Sequence, residues 1–486
     1  MLRKLYEAKM QQLVMRRSEQ MPDRRLRILL VPDSIHWVTG TIAKNIARFN
    51  PWIEATIASG LVIDQIFGAH PELMKNFDLV HFTCPYASKQ WLPRFRDLVP
   101  CVTSHHHVTD WEAIKHNVDG DAIIVGSPEW ATDLQSRGAD ISRVFCVPYG
   151  VDADLFQPAT AEQQTAVRRK FNLQHSATVI GFFGKNSSND DDRKGIDVFT
   201  KAIVGLGKRI PELAVLIVGP GWQKLTSELN CAGVKCVWIP FVEELKDLTE
   251  LYRALDFYWV TARVEGGPVT LLEAMSAEVC CLTTAVGIAR EIVRDGENAV
   301  LLPFNDPEAF AERTAALAGD ESERKRFGSN ARKTILEKMH VGVTATGVLN
   351  VYAKAFENFA ARRQCSLPFD IREIAAATAA RPLSSEGGGK ESEVPLNGFP
   401  RAIHRRVKML ESLAFAEHLI LYHQQRAVAL KMIMREWLAN PFSPLPLRVL
   451  LRRLLPVPMV ARVVKLKNRS RVSAPLVASY PPRKKA

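Results

Sequence analysis

Residues 257–276 have the sequence Phe257-Tyr-Trp-Val-Thr-Ala-Arg-Val-Glu-Gly-Gly-Pro-Val-Thr-Leu-Leu-Glu-Ala-Met-Ser276. The apolar run at its start predicts a buried strand, and the residues after Pro268 predict a helix. Proline suits the first helical position, because the N–H group that it lacks has no intrahelical acceptor there. A strand, a glycine-rich turn and a helix in this order form the repeating unit of a doubly wound α/β domain.

The same alternation extends in both directions from this unit. Short apolar runs rich in Val and Ile, separated by segments of helical length, predict the strands of parallel sheets. The runs are residues 26–31, 53–58, 78–82, 99–103, 122–125 and 144–147, and then 178–183, 214–218, 236–239, 257–260, 280–283 and 299–302. We therefore predict an α/β protein of two facing Rossmann-like domains, with an interdomain cleft beyond the carboxyl ends of the strands.

Composition shifts divide the 486-residue chain further. The segment before the first strand predicts a basic helical extension, and a stretch rich in Ala, Ser and Gly predicts a flexible linker. The predicted parts are an N-terminal extension at 1–24, a first domain at 25–155, a second domain at 156–340, a helix packing back toward the first domain at 341–363, a flexible linker at 364–400 and a basic, partly helical tail at 401–486.

The basic charge of the chain is confined to the tail. The net charge is +12, but residues 401–486 hold 18 Lys and Arg against three acids, which leaves 46 basic and 49 acidic residues in the first 400. We therefore expect no nucleic-acid partner for the body of the protein. A basic amphipathic tail can lie on an anionic membrane surface, and a partner-binding arm, a nucleic-acid tail and plain disorder are its alternative interpretations.

The sequence also bears on the compartment. It has no run of 18 uninterrupted apolar residues, and its first residues lack the apolar core and cleavage site of a signal peptide. The eight cysteines lack zinc-site spacing, so reduced thiols are the simplest expectation. We expect a cytoplasmic protein, with possible peripheral contact at the inner face of the membrane.

The turn before the helix is the first candidate site. Its two glycines let a ligand approach the backbone, and the free amides of Val269, Thr270 and Leu271 with the helix dipole would make a phosphate site. Glu265 and Glu273 would flank that site and hold hydroxyl groups on either side of a diphosphate. The alternative is an ordinary loop-to-helix junction with solvated or capping glutamates.

A second phosphate candidate follows the first strand of the second domain. Lys185 in Gly181-Phe-Phe-Gly-Lys185 and Lys194 in Arg193-Lys-Gly195 would bracket the same region, and two fixed cations stabilise a departing diphosphate. Alternatively, Lys194 is an exposed lysine in the first turn of an amphipathic helix. The spacing does not match a Walker motif, and the acidic run 190–192 is best interpreted as a solvated loop rather than a metal site.

Three histidines follow a strand of the first domain, at 105–107. They cannot all face one metal from a strand, and no cluster of Cys, Asp or Glu is nearby, so we predict no metal site. One cleft histidine could serve polar recognition or proton handling, and a structural histidine is an equally good interpretation.

These motifs together resemble the retaining glycosyltransferases of family four, which have the GT-B fold. The resemblance covers roughly residues 25–359 and depends on the shared order of several short motifs. They are Glu265-Gly-Gly-Pro-Val-Thr-Leu-Leu-Glu273 followed by Ala274-Met275, Gly184-Lys185 with Arg193-Lys194-Gly195, Val147-Pro-Tyr-Gly-Val-Asp152, Ser127, and Asp295-Gly-Glu-Asn298 with Leu302.

The resemblance implies roles for the matching residues. Glu273 would bind the ribose of a nucleotide diphosphate sugar, and Glu265 would contact the sugar ring, with His105 beside the sugar and the acceptor hydroxyl. The diphosphate would be bound by Gly184, Lys185, Lys194, Gly267, Val269 and Thr270. The first domain would bind a glycan or lipid-linked acceptor, as in polysaccharide biosynthesis, and the hexosyl transfer would need neither a metal nor a cofactor besides the donor substrate.

The sequence departs from the family pattern in places. The first loop has Gly40 alone where the family usually has two or more glycines, and Tyr149 replaces the usual asparagine before Gly150. Two other functions remain open, a nucleotide-sugar epimerase and a non-catalytic nucleotide-sugar-binding scaffold subunit.

Overall fold

The computed structural model describes residues 25–50, 52–106, 111–186, 193–242, 244–365, 395–423 and 426–440, with positions 443, 445, 446 and 449. The predicted N-terminal extension, most of the predicted linker and the last part of the predicted tail lie outside these residues.

The first domain is a six-stranded parallel sheet with helices between the strands. Its strands are β1 Leu26–Leu30, β2 Ile53–Ile57, β3 Leu79–Phe82, β4 Cys101–His105, β5 Ala122–Val125 and β6 Val144–Cys146, in the order β2-β1-β3-β4-β5-β6. Its helices are α1 Val38–Phe49, α2 Gly60–Ala69, α3 Ser88–Phe95, α4 Trp111–Ile114 and α5 Pro128–Ser136, with short 3₁₀ turns at Pro71–Asn76, Pro85–Ala87, Lys115–Asp119 and Ile141–Arg143.

The second domain repeats this arrangement. Its strands are β7 Thr178–Phe183, β8 Leu213–Val218, β9 Lys235–Ile239, β10 Phe257–Val260, β11 Cys280–Thr284 and β12 Val300–Leu302, in the order β12-β11-β10-β7-β8-β9. Its helices are α6 Ala161–Lys170, α7 Ile196–Gly207, α8 Gln223–Cys231, α9 Leu245–Arg253, α10 Val269–Ser276, α11 Ala289–Ile292, α12 Pro307–Ala318 and α13 Glu321–Thr334, which a π-helical turn at Ile335–Met339 follows.

Each predicted apolar run forms a strand, so the predicted fold class of two parallel-sheet Rossmann-like domains is confirmed. Helices cover both faces of each sheet, which is why the central strands lack a polar face. All six residues of Leu213–Val218 are buried. In the second sheet the strand order reverses between β7 and β10, so the loops after these two strands diverge and leave a crevice where ligands bind in such folds.

Two chain segments connect the domains. Residue Val151, after the first domain, exchanges backbone hydrogen bonds with the end of the second domain, from Val151 N to Met339 O at 2.8 Å and from Val341 N to Val151 O at 3.0 Å. The next helix, α14 Val341–Arg363, then packs on the first sheet. There the guanidinium of Arg362 lies 2.9 Å from the carboxylate of Asp121, which is buried beside β5.

The C-terminal extension, defined here as residues 395–440, packs on the first domain. Its two helices are α15 Arg401–His423 and α16 Arg426–Ala439. Residues 395–400 fall within the predicted flexible linker but are held against β2, where Leu396 forms an antiparallel bridge with Thr56 and Ile57 N donates to Pro395 O at 2.8 Å. The apolar face of α15 is buried in the same core as α2, because Val407 and Leu410 pack with its side chains. Among the described helices, none has the length and apolar character needed to cross a bilayer.

Candidate functional site

The loops after β7 and β10 bring the predicted cations to the crevice of the second domain. Gly184 follows β7 with φ +144°, and a Cβ atom there would lie 3.4 Å from the ammonium nitrogen of Lys194. The carbonyl of Gly184 accepts a 2.7 Å hydrogen bond from the indole of Trp222, which fixes the loop. Two of the predicted phosphate-binding residues, Gly184 and Lys194, are therefore neighbours in space.

The segment before α7 is pressed against the end of β10. Gly195 has φ +64°, and a Cβ atom there would lie 2.1 Å from the carbonyl oxygen of Thr261. The Thr261 hydroxyl donates to the carbonyl of Lys194 at 2.9 Å. Only glycine fits this close approach, so the backbone places Lys194 at the crevice rather than on an exposed helix face.

Glu265 lies among cations. Its carboxylate is 2.7 Å from the guanidinium of Arg193 and 3.4 Å from the ammonium of Lys194, and its side chain is 17% exposed. The backbone of the same residue is also fixed, because its carbonyl accepts a 3.1 Å hydrogen bond from the indole of Trp130 in the first domain. Glu265 thus joins the loops after β7 and β10 and touches the opposite domain.

Helix α10 starts one residue later than the sequence predicts. Pro268 is its N-cap with ψ 84° and does not occupy the first helical position. The amide of Leu271 donates to the carbonyl of Pro268 at 2.9 Å, so the prediction that this amide is free is wrong. Val269 and Thr270 are the first two residues of the helix, where amides have no acceptor within the helix, and their anion-binding role stays a prediction.

Glu273 lies inside the second domain and is 6% exposed. Its Oε2 accepts a 2.6 Å hydrogen bond from the hydroxyl of Tyr252. Burial raises the pKa of Glu273 to about 7, and the hydrogen bond from Tyr252 acts in the opposite direction. Burial therefore favours the neutral form of this carboxyl compared with a carboxyl in water, and the neutral form can both donate and accept.

The glycines of the Glu265 loop form the contact with the first domain. A Cβ atom on Gly266 would lie 2.3 Å from the carbonyl oxygen of His106, and one on Gly267 would lie 3.2 Å from the ring of Tyr149. A Cβ atom on Gly126, after β5, would lie 2.8 Å from the same ring. The tyrosine that departs from the family pattern therefore fills a slot between two glycines of opposite domains.

The structure separates the two histidines at the end of β4. His105 is fully buried and its ring lies edge-on to Trp130, with the ring centres 6.3 Å apart. His106 is partly exposed, hydrogen-bonded to the hydroxyl of Tyr149 and, through Nε2 at 2.8 Å, to the carbonyl of Thr83. The role predicted for His105 stays a prediction, and His106 is the histidine that meets the Glu265 loop.

Lys185 extends away from the other cation and across the cleft. Its ammonium lies 5.5 Å from the ring centre of Trp37, in the loop after β1 of the first domain. Burial raises the pKa of the Cys84 thiol, after β3, and the nearby charge of Lys185 acts in the opposite direction. The structure thus places Lys185 between the domains and Lys194 within the second domain.

Among the described residues, the group with ligand atoms spaced for a metal ion is Asp152, Asp154 and His340, within 4.8 Å of one another. Asp152 already pairs with Arg48 at 2.7 Å, and Nδ1 of His340 accepts from the amide of Gly342 at 3.2 Å. Because the guanidinium neutralises the buried carboxylate, the group is better suited to joining the domains than to holding a cation.

The site includes residues to which sequence reasoning gave no role. Arg193 stood next to a predicted site residue, and Tyr149 stood out as a departure from the family pattern, so both carried a signal. His106 lay in the histidine run at 105–107, although the predicted role fell on His105. Trp37 and Tyr252 carried no signal, because their contacts join segments distant in the sequence.

Comparisons with known proteins agree with this geometry. Residues 165–334 match the sequence model of the family described as glycosyl transferases group 1. The chain is 31% identical over 251 residues to the D-inositol 3-phosphate glycosyltransferase of Xylanimonas cellulosilytica, covering 50% of this chain and 59% of the relative. It is 29% identical over 229 residues to the protein of the same name from Thermomonospora curvata, covering 43% and 52%. The chain thus spans between half and three fifths of the length of these curated relatives.

Solved structures share the fold at low sequence identity. HepE from Anabaena, in complex with UDP-glucose, superposes with a TM-score of 0.57 at 16% identity, covering 68% of this chain and 99% of that chain. The sucrose-phosphate synthase of Thermosynechococcus elongatus gives a TM-score of 0.53 at 16% identity, covering 68% and 100%. The two-domain architecture is therefore that of GT-B proteins.

Proposed function

We propose that this chain, of which residues 165–334 match the sequence model of the glycosyl transferases group 1 family, transfers a sugar, with retention, from a nucleotide diphosphate sugar to a hydroxyl acceptor. The observation that carries this proposal is the position of the Lys194 ammonium beside Gly184 and Glu265, at the crevice that α10 faces. A cation, a glycine that leaves room beside it and a helix N-terminus at a switch point together suit a diphosphate.

The diphosphate is the part of the donor for which the site is best suited. Lys194 supplies a fixed positive charge, and the amides of Val269 and Thr270 supply donors that need no reorganisation when charge accumulates on the leaving group. Lys185 supplies a second charge from the loop after β7, on the side of the first domain. These groups stabilise the departing nucleoside diphosphate more than the intact donor, which is how they accelerate cleavage of the sugar bond.

The two glutamates are suited to hydroxyl groups rather than to acid–base chemistry. Glu265 is held by Arg193 and Lys194 and accepts hydrogen bonds as a carboxylate, which fits the sugar-ring hydroxyls. Glu273, hydrogen-bonded to Tyr252, fits the ribose after a side-chain movement. Neither acts as a glycosidase nucleophile in this proposal; the departing phosphate accepts the proton of the acceptor hydroxyl on the front face of the sugar.

The first domain supplies the acceptor side. The Glu265 loop meets this domain at His106, Tyr149 and Trp130, so an acceptor between the domains lies next to the donor sugar. The two curated relatives are named for action on D-inositol 3-phosphate, and this compound joins glycans and lipid-linked saccharides among the acceptors to test. We propose that the transfer needs no metal ion, since lysines and amides neutralise the diphosphate.

The test is transfer from a panel of nucleotide sugars, with and without EDTA, by the full chain. Wild-type protein should form a glycoside whose anomeric configuration, read by NMR, matches that of the donor. Lys194→Met and Glu273→Gln should each lower kcat/KM by at least about tenfold. The control Lys201→Met, on an exposed position of α7, should keep wild-type activity.

Each alternative function gives a different outcome of the same assay. Products that remain nucleotide sugars would identify an epimerase, and tight donor binding without turnover on any acceptor would identify a binding subunit. Transfer that neither active-site substitution alters would remove the basis of the proposed diphosphate site.

A further inference from the structure

The C-terminal extension reaches the crevice through one aromatic side chain. Phe415 of α15 is 1% exposed and stacks on the ring of His36 with the ring centres 4.4 Å apart. It meets Trp37 edge-on at 5.1 Å. His36 and Trp37 belong to the loop after β1, where the sequence has Gly40 alone in place of several glycines, so an external side chain fixes this loop.

The same ring also touches the second domain. Phe241, in the segment after β9, lies with its ring centre 5.2 Å from that of Phe415. Nearby, the carboxylate of Glu411 in α15 accepts a 2.7 Å hydrogen bond from the amide of Ser59, which follows β2. The extension is therefore attached at the carboxyl ends of the first sheet, on the side where the domains face each other.

A short series of contacts leads from the extension to the candidate donor site. The ammonium of Lys185 lies 5.5 Å from the centre of the Trp37 ring, and Phe415 meets the same ring edge-on. A cation gains energy from the face of an indole ring only when the ring keeps its orientation. Phe415 contacts the rings of His36, Trp37 and Phe241, so it is the shared packing partner that restricts the orientation of Trp37.

From this arrangement we infer that Phe415 is a positioning residue for Lys185, acting through Trp37. The C-terminal extension is then a working part of the donor site. The role assigned to Lys185 rests on the proposed function, whereas its position against Trp37 does not. Loss of the Phe415 ring frees the Trp37 ring, and Lys185 loses the surface that orients its charge.

The first test measures the position of Lys185 without any substrate. The full chain is treated briefly with an acetylating reagent, and modification of Lys185 is read by peptide mass spectrometry relative to Lys201. Phe415→Leu should raise modification of Lys185 by about twofold to fivefold, the range of a cation–π contact at a partly exposed site. Trp37→Leu should do the same, and Trp37→Phe, which keeps a ring, should do so less.

The control is the same substitution elsewhere in the extension. Phe399 is 3% exposed, and its ring packs 6.0 Å from that of Phe67 and 6.1 Å from that of Phe77, on the first domain. Phe399→Leu should lower thermal stability by a similar amount and leave the modification of Lys185 at the wild-type level. Equal modification of Lys185 in both variants would overturn the inference, because general loosening would then explain it.

The second test connects the position to donor binding. Calorimetry with UDP, GDP, ADP, CDP and dTDP finds the diphosphate that wild-type protein binds most tightly. Phe415→Leu should weaken that binding by about twofold to fivefold, and adding Trp37→Leu should weaken it no further. Additive losses would show that Phe415 does not act through Trp37. If wild-type protein binds none of the five, the proposed function fails while the labelling test still decides the position of Lys185.

Discussion

The hydroxyl of Tyr149 donates a hydrogen bond to Nδ1 of His106 and joins the segment between the domains to the end of β4. The direction of this bond follows from the partners. The carbonyl of Thr83 accepts only, so Nε2 of His106 carries the proton, and burial lowers the pKa of this histidine so that the ring is neutral at neutral pH. The neutral ring leaves Nδ1 as an acceptor.

Removing the Tyr149 hydroxyl should weaken the fold. Tyr149→Phe leaves Nδ1 of His106 without its donor, and we expect a loss of about 1–3 kcal/mol in the free energy of unfolding. Tyr149→Asn also empties the slot between Gly126 and Gly267 and should cost more. Urea unfolding of both variants checks this order; equal losses would show that the ring contributes nothing beyond its hydroxyl.

Two glycine substitutions, one at the crevice and one within the helix α7, should have opposite effects on stability. Gly195→Ala forces a Cβ atom against the Thr261 carbonyl at a positive φ angle, so it should destabilise the protein by about 1–3 kcal/mol and abolish nucleotide binding by displacing Lys194. Gly205 lies within α7, and a Cβ atom there would meet no atom within 4 Å, so Gly205→Ala should stabilise the protein by about 0.5–1 kcal/mol. Thermal unfolding and calorimetry on the pair provide the comparison.

The buried carboxyl of Glu273 should make stability depend on pH. Its pKa is about 7 in the folded protein and near 4.5 in the unfolded chain, so the folded state binds more protons between these values and stability falls as pH rises from about 4.5 to 7. Glu273→Gln removes this loss, by up to about 3 kcal/mol.

Urea unfolding at pH 5 and pH 8 checks the prediction. The free energy of unfolding of the Gln variant should exceed that of wild type by more at pH 8 than at pH 5. Glu411 contributes a slope of the same sign, because burial raises its pKa to about 7 as well, and it is unchanged in both proteins. If the variant keeps the pH dependence of wild type, the Glu273 carboxyl is in contact with water in the folded protein and the prediction is wrong.

The ion pair between Arg193 and Glu265 should contribute more to binding of the nucleotide sugar than to binding of the nucleoside diphosphate alone. Arg193→Met removes the partner at 2.7 Å and leaves the carboxylate with Lys194. We expect KM for the nucleotide sugar to rise by about tenfold, with a smaller change in affinity for the nucleoside diphosphate, because the latter has no sugar ring for Glu265 to contact. Parallel losses for both ligands would assign Arg193 to the diphosphate instead.

The sequence was sufficient for the fold because buried parallel strands have a simple local pattern. The runs are short and mostly apolar, as at 178–183, and each one forms a strand. Helix starts were less certain, since Pro268 fits both the N-cap and the first helical position, and only the 2.9 Å bond from Leu271 to its carbonyl decides between them.

The candidate site was only partly predictable from sequence. The motifs that follow the strands predicted that Gly184, Lys194 and Glu265 lie in one region of the cleft, and the three residues do lie close together. The burial of Glu273 against Tyr252, the slot that holds Tyr149 and the position of the C-terminal extension depend on contacts between distant segments. The basic composition of the tail favoured a surface segment, but α15 also has an apolar face, and this face packs on the first domain.

The central claim is that the crevice of the second domain binds the diphosphate of a nucleotide sugar. The most direct measurement is calorimetric titration of wild-type protein and Lys194→Met with a nucleoside diphosphate and with the matching nucleoside. Wild-type protein should bind the diphosphate far more tightly than the nucleoside, and the variant should lose about tenfold or more of that preference. An unchanged preference in the variant would contradict the account, because Lys194 would then not contact the phosphates.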